Sequence, residues 1–200
     1  MKRTAKLGHG TTPARSRTAG RARSGTPVNV TSAGMAALTP TSRSTAPRRL
    51  RDAMGRFATG VTVITTADPD EGVHGMTANG VLSVSLDPPL VLVSLGRCRM
   101  AEILPRTGRY GISVLTAEQQ DVAAHFAGQH TLTGAPRFHW AGSLPFVAGS
   151  LAQLGCRVTD VHPAGDHVLW IGRVEHMVHR DGDPLLFYAG RFAGISPRAG

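Results

Sequence analysis

The stretch that decides the fold is Gly75–Leu95, Gly-Met-Thr-Ala-Asn-Gly-Val-Leu-Ser-Val-Ser-Leu-Asp-Pro-Pro-Leu-Val-Leu-Val-Ser-Leu. Small polar residues (Thr77, Asn79, Ser83, Ser85) alternate with apolar ones, which is the period of a half-buried strand. Pro88 and Pro89 have no N–H to give to a ladder, so they end the first strand and a second one follows. Gly75 and Gly80 carry no Cβ and let a ligand or another backbone come close. By pattern alone the stretch is a hairpin of a β-barrel.

Working outward, Pro47–Ala58 reads as a short amphipathic helix, with Leu50, Met54 and Phe57 at i, i+4 and i+7. Val61–Thr66 is a strand, and Asp68-Pro69-Asp70-Glu71-Gly72 a turn. Strands are expected at about 73–86, 90–95 and 109–115, with a short helix near 98–104. Thr116 and Gln119 form a capping box that opens another helix. Residues 128–149 carry no clear period and read as irregular. Leu151–His162 and His167–His179 make a long hairpin around Pro163-Ala164-Gly165, with Val168, Trp170, Val174 and Val178 on one face. Leu185–Tyr188 is a last strand. Many short strands with two or three helices predict a mainly β fold, a small closed barrel.

The formal net charge of +9 is misleading when spread over all 200 residues. Residues 1–51 hold eleven Lys or Arg and no acid, whereas residues 52–200 hold eleven Arg against thirteen Asp or Glu. Residues 1–46 are poor in large apolar side chains, so the segment reads as a disordered basic tail ahead of one domain at 47–200. Three readings of the tail stand side by side: a nucleic-acid arm, an Arg-rich targeting peptide, or an over-long start with translation beginning at Met35. The last is ranked first. The body itself gives no reason to expect nucleic acid. No run is long and apolar enough to cross a membrane as a helix. Two cysteines, Cys98 and Cys156, stand outside any zinc-type spacing, which argues for a reduced, cytoplasmic setting with no metal.

No nucleophile elbow, Walker loop or Gly-x-Gly-x-x-Gly is present. Thr59-Gly-Val-Thr-Val-Ile-Thr-Thr66, Gly75-Met-Thr-Ala-Asn79 and Ser83-Val-Ser-Leu-Asp-Pro-Pro-Leu-Val-Leu-Val93 instead resemble the short-chain flavin reductase family. Tyr110–Leu115, Glu118–Ala127, Arg137-Phe138, Leu151–Cys156, Gly165-Asp166-His167, Ile171–Val174 and Pro184–Tyr188 continue the resemblance in order. The resemblance implies an FMN-binding split barrel and an NAD(P)H:flavin oxidoreductase. Such an enzyme uses NADH or NADPH to reduce FMN or FAD by hydride transfer to N5, and it supplies reduced flavin to a partner monooxygenase. It also implies a homodimer. The alternative is a split-barrel protein that retains FMN, or another cofactor, without turning over free flavin.

The same resemblance assigns the site. Gly75, Met76, Thr77, Ala78, Asn79 and Gly80 would meet the flavin. Ser94, Leu95, Gly96, Arg97, Cys98 and Arg99 would hold its phosphate at a helix start, which suits an anion. Cys98-Arg99-Met100 stands where the family commonly has Ser-Arg-Thr, so two hydroxyls are missing and the arginines would compensate by charge. His167 would position the nicotinamide and Asp166 would orient His167. Ala189 replaces the arginine of the family's Tyr-Arg-Gly, so no role passes to that position.

Overall fold

The computed structural model describes residues 46–129, 132 and 134–195. All three readings of the basic segment, and Met35, lie outside them. Helix α1 (Ala46–Met54) leads into β1 (Thr59–Gly60), β2 (Thr62–Asp68), β3 (Gly72–Ala78), β4 (Val81–Leu86) and β5 (Pro89–Gly96). Helix α2 (Arg99–Thr107), β6 (Arg109–Val114), a 3₁₀ turn at Ala117–Gln119 and α3 (Gln120–Phe126) follow. The chain continues through β7 (Phe138–Ala141), β8 (Leu144–Val147), β9 (Ala152–Ala164), β10 (His167–His179), β11 (Leu186–Tyr188) and β12 (Arg191–Ala193).

Seven strands form one antiparallel sheet in the order β3-β2-β6-β9-β10-β5-β4. β3 and β4 are its two edges, so the barrel is split rather than closed. β1, β11 and β12 make a small second sheet, and β7 and β8 a hairpin. Among the described residues no helix is long and apolar enough to cross a membrane.

β2 shows why the sheet is stable. It is β-branched almost throughout and buried along nearly its whole length. Its period of two sends Ile64 into one core, with Val93, Leu95, Met100, Leu104, Tyr110, Ile112 and Trp170. Val63 goes to the other, with Leu115, Ala123, Val147 and Leu185. Helix α2 seals the first core with Met100 and Leu104, both fully buried. It stops at Gly108, whose φ of 63° is left-handed and whose N–H donates to Leu104 O at 2.9 Å.

The expected Thr116 capping box is present: Thr116 N–H donates to Gln119 Oε1 at 3.1 Å, and Gln119 Nε2 donates on to Ala148 O at 2.9 Å. The long β9–β10 hairpin also forms where expected. Trp170 and Val174 share its buried face, but a register irregularity between Val174 and His176 ends that face and leaves Val178 exposed. Two expectations need correcting. Residues 73–86 are not one strand; the chain breaks at Asn79–Gly80 and turns from one edge of the sheet to the other. Residues 128–149 are not wholly irregular, because they contain the β7–β8 hairpin. Its Phe146 ring is fully buried beside Gly111, where a Cβ would lie 2.9 Å from that ring.

Candidate functional site

A cleft of about 830 Å³ opens where α1, the Asn79–Gly80 break and β5 meet. That size suits a drug-sized or cofactor-sized ligand. Asn79, Gly80 and Ser94 supply its polar side, and Ser94 N–H donates to Gly80 O at 2.8 Å. Met54, Phe57, Leu82, Leu92 and Phe187 supply an apolar wall. Thr59 also lines the cleft, and its Oγ1 is buried with no hydrogen-bond partner among the described residues. A buried hydroxyl without a partner is costly unless something completes it. A flat heteroaromatic ring with polar edges fits this combination of apolar wall, open backbone and orphan hydroxyl.

The twelve residues expected to bind flavin fall into three groups. The first is turned to other work. Thr77 Oγ1 donates to Ala123 O of α3 at 2.6 Å. A Cβ at Gly75 would lie 2.6 Å from the Phe126 ring, so the glycine admits that ring and not a ligand. Helix α3 therefore covers the outward face of β3. Leu95 is fully buried, Ala78 nearly so, and Met76 packs against the same core. Whatever Ala78 and Leu95 contribute to a ligand comes from backbone.

The second group lines the cleft: Asn79, Gly80 and Ser94. The third runs on from Ser94 to the start of α2. There Cys98 stands at the N-cap in extended conformation with no side-chain cap bond, and its Sγ lies 3.6 Å from Met76 Sδ. Arg97 is exposed and makes no ion pair among the described residues. Arg99 differs from expectation. Its Nε donates to Glu71 Oε2 at 3.0 Å, its Nη1 to Glu102 at 2.7 Å, and its Nη2 to the other Glu71 oxygen. It is held by two carboxylates and is not free for an anion.

Register brings the second motif to the first. β10 pairs with β5 so that His167 faces Gly96, and the His167 ring would sit 3.5 Å from a Cβ built on Gly96. Gly165, at φ 67°, makes the turn that starts β10. His167 Nδ1 is 2.8 Å from Asp166 Oδ1. The bond from His167 holds the Asp166 carboxyl below its ordinary range, with nearby Arg97 adding to the effect. Asp166 is 93% exposed, so the pair orients the ring more than it stabilises the fold. Deeper in the sheet, burial pushes the Cys156 thiol up to about 12 and raises the Tyr110 phenol as well, so neither exchanges protons near neutrality.

Sequence reasoning found the polar half of the cleft and missed its wall. Met54 and Phe57 come from outside the motifs that carry the resemblance, and Thr59 and Phe187 lie inside two of those motifs but were given no part in the site. The i, i+4, i+7 pattern of α1 was the available signal, but it reads as ordinary core packing.

Residues 54–196 match the flavin reductase like domain family. A curated relative, the NADH-dependent flavin reductase of Rhodococcus sp, is 50% identical over 152 residues, covering 74% of this chain and 86% of that one. The flavin-dependent monooxygenase reductase subunit HsaB of Rhodococcus jostii is 38% identical over 156 residues, covering 76% and 79%. Among solved structures, the NADH:FAD oxidoreductase SgcE6 of Streptomyces globisporus C-1027, in complex with NAD and FAD fragments, is similar with a TM-score of 0.72. It is 34% identical, and the match covers 78% of this chain and 96% of that one. With sheet order, cleft and sequence match all in agreement, the chain belongs to the flavin reductase like domain family.

Proposed function

We propose that this protein is an NADH-dependent flavin reductase that takes FMN or FAD as a substrate and releases it reduced. The observation that carries the reading is the β5–β10 register. It sets His167 opposite Gly96, at the end of the strand whose Ser94 lines the cleft. The flavin ring would lie in the cleft against Asn79, Gly80 and Ser94, and its phosphate near Arg97 and the uncapped start of α2. The nicotinamide would enter from the His167 side, with Asp166 fixing the imidazole. The flavin supplies the redox chemistry; the protein's residues bind, orient and exclude water. Weak phosphate capture favours release over retention, because Cys98 offers no hydroxyl and Arg99 is already paired.

The reading extends to partners. Leu50, Met54 and Phe57 of α1 and Leu82, Val84 and Leu86 of the β4 edge are all exposed, and Met54, Phe57 and Leu82 border the same cleft. So large an apolar rim on one face is typical of an interaction surface. A second copy of this chain is the proposed occupant, and a flavin-dependent monooxygenase the proposed consumer of reduced flavin. The cytoplasm is the proposed compartment, in keeping with two unpaired cysteines.

The test is steady-state oxidation of NADH and NADPH with FMN, FAD or riboflavin added in turn. Turnover is expected only with added flavin, and faster with NADH. A folded preparation that oxidises neither nucleotide in the presence of flavin would overturn the reading. A yellow purified protein whose rate ignores added flavin would favour a retained prosthetic group.

A further inference from the structure

Five charged side chains meet along one side of α2, from Arg99 at its start to Arg106 in its last turn. Glu71, in the β2–β3 turn, accepts from both Arg99 and Arg106, the latter at 2.9 Å. Arg106 also donates to Asp68 at 2.9 Å, and Arg99 to Glu102 at 2.7 Å. Three carboxylates thus face two guanidinium groups, and the cluster is net negative. Asp70 in the same turn and His74 on β3 are further titratable groups beside the cluster; burial keeps the His74 imidazole below the ordinary range, and Arg99 adds to this.

Glu71 grips Arg99 through both carboxylate oxygens, the two-bond geometry that holds a guanidinium most firmly. Arg106 does not need it, because Asp68 already holds Arg106. Among the described residues, Arg97 at the start of α2 makes no ion pair, and neither does Arg51, which lines the cleft itself.

We infer that Glu71 is a positioning residue that sets how tightly the flavin phosphate is held, by keeping Arg99 away from it. The inference rests on the proposed placement of the phosphate at the start of α2. A flavin that must leave after reduction is served by an anion site of this kind, with one arginine open and a second tied to the β2–β3 turn. Neutralising Glu71 removes the two-bond hold on Arg99 and leaves it only the exposed Glu102 bond, while Asp68 keeps Arg106 in place.

The experiment is calorimetric titration of the full chain with FMN and with riboflavin, which lacks the phosphate. Glu71→Gln is expected to tighten FMN about ten-fold, the scale of one charge-assisted bond, and to leave riboflavin unchanged. Glu71→Gln combined with Arg99→Ala should return FMN to the wild-type value, and Arg99→Ala alone should change FMN by no more than about two-fold. Should Glu71→Gln fail to fold, Glu102→Gln loosens the same arginine and should shift FMN in the same direction by less. Arg97→Ala separates the two layers of the argument. If it weakens FMN but not riboflavin while Glu71→Gln leaves both unchanged, the phosphate placement stands and the role of Glu71 is overturned. If neither variant alters the difference between FMN and riboflavin, the placement itself falls. Equal tightening of both flavins by Glu71→Gln also overturns the inference.

Discussion

Asp68 accepts N–H bonds from Asp70 at 3.0 Å and Glu71 at 3.2 Å within its own turn, and it holds Arg106 as well. It is only 4% exposed. The backbone bond from Asp70 is the main cause that lowers its carboxyl below the usual range, and Arg106 contributes further. The folded state therefore binds this proton less tightly than the unfolded chain, whose Asp titrates near about 3.9. The stabilisation is fully present above about pH 4 and is lost as pH falls through the folded value. Asp68→Asn should lower Tm at pH 7, and the gap to wild type should close as thermal melts are taken into acid. At the site, His167→Ala should raise KM for NADH while leaving FMN affinity nearly intact, as read by nucleotide-dependent rates beside flavin titration. Residue identity was readable in the sequence and residue engagement was not. The pairing of Arg99 with Glu71, 28 positions away, is a tertiary contact that no local pattern encodes.

At the scale of elements, the β11–β12 hairpin closes through Ala189-Gly190, with Tyr188 opposite Arg191. Both turn residues have positive φ, 49° and 80°. A two-residue turn of this kind suits Asn-Gly, and an alanine there is strained by its Cβ. Ala189→Asn should stabilise the fold by roughly 1 kcal/mol, raising Tm by about 2–4 °C in a scanning melt. Elements with strong signals were legible: β2 from its β-branched run, β5 from the Pro88-Pro89 break before it, the β9–β10 hairpin from its length around Gly165, and the helical turn after Thr116 from its capping box with Gln119. Those that form by covering other elements were not. The β7–β8 hairpin, Phe-His-Trp-Ala then Leu-Pro-Phe-Val, has neither clean alternation nor freedom from proline. It is fixed instead by contacts it finds on β2 and β6, such as Thr65 Oγ1 donating to Pro145 O and Val147 N–H donating to Ser113 Oγ at 3.0 Å. The break at Asn79–Gly80 was hidden for a similar reason. The alternation runs straight through it, and only the sheet order shows that the two halves lie on opposite edges.

At the scale of the whole molecule, the exposed rim of α1 and β4 predicts self-association. Val84→Glu together with Leu86→Glu puts charge on the β4 edge outside the cleft lining, and light scattering after size exclusion should show the proposed dimer in wild type shifting to monomer. Removing residues 1–34 should leave Tm and turnover unchanged, since both cores are built from residues 61 onward. One further consequence follows from where the two indoles sit. Trp170 is almost completely buried in β10 opposite Val93, next along β5 to the Ser94 of the cleft, whereas Trp140 is half-exposed on the β7–β8 hairpin. Oxidised flavin absorbs where indole emits, so a flavin bound in the cleft as proposed should drain excitation from Trp170 by energy transfer. With Trp140→Phe the protein carries a single indole, and its brightness and lifetime should report flavin binding in titrations made without NADH, which absorbs in the same range.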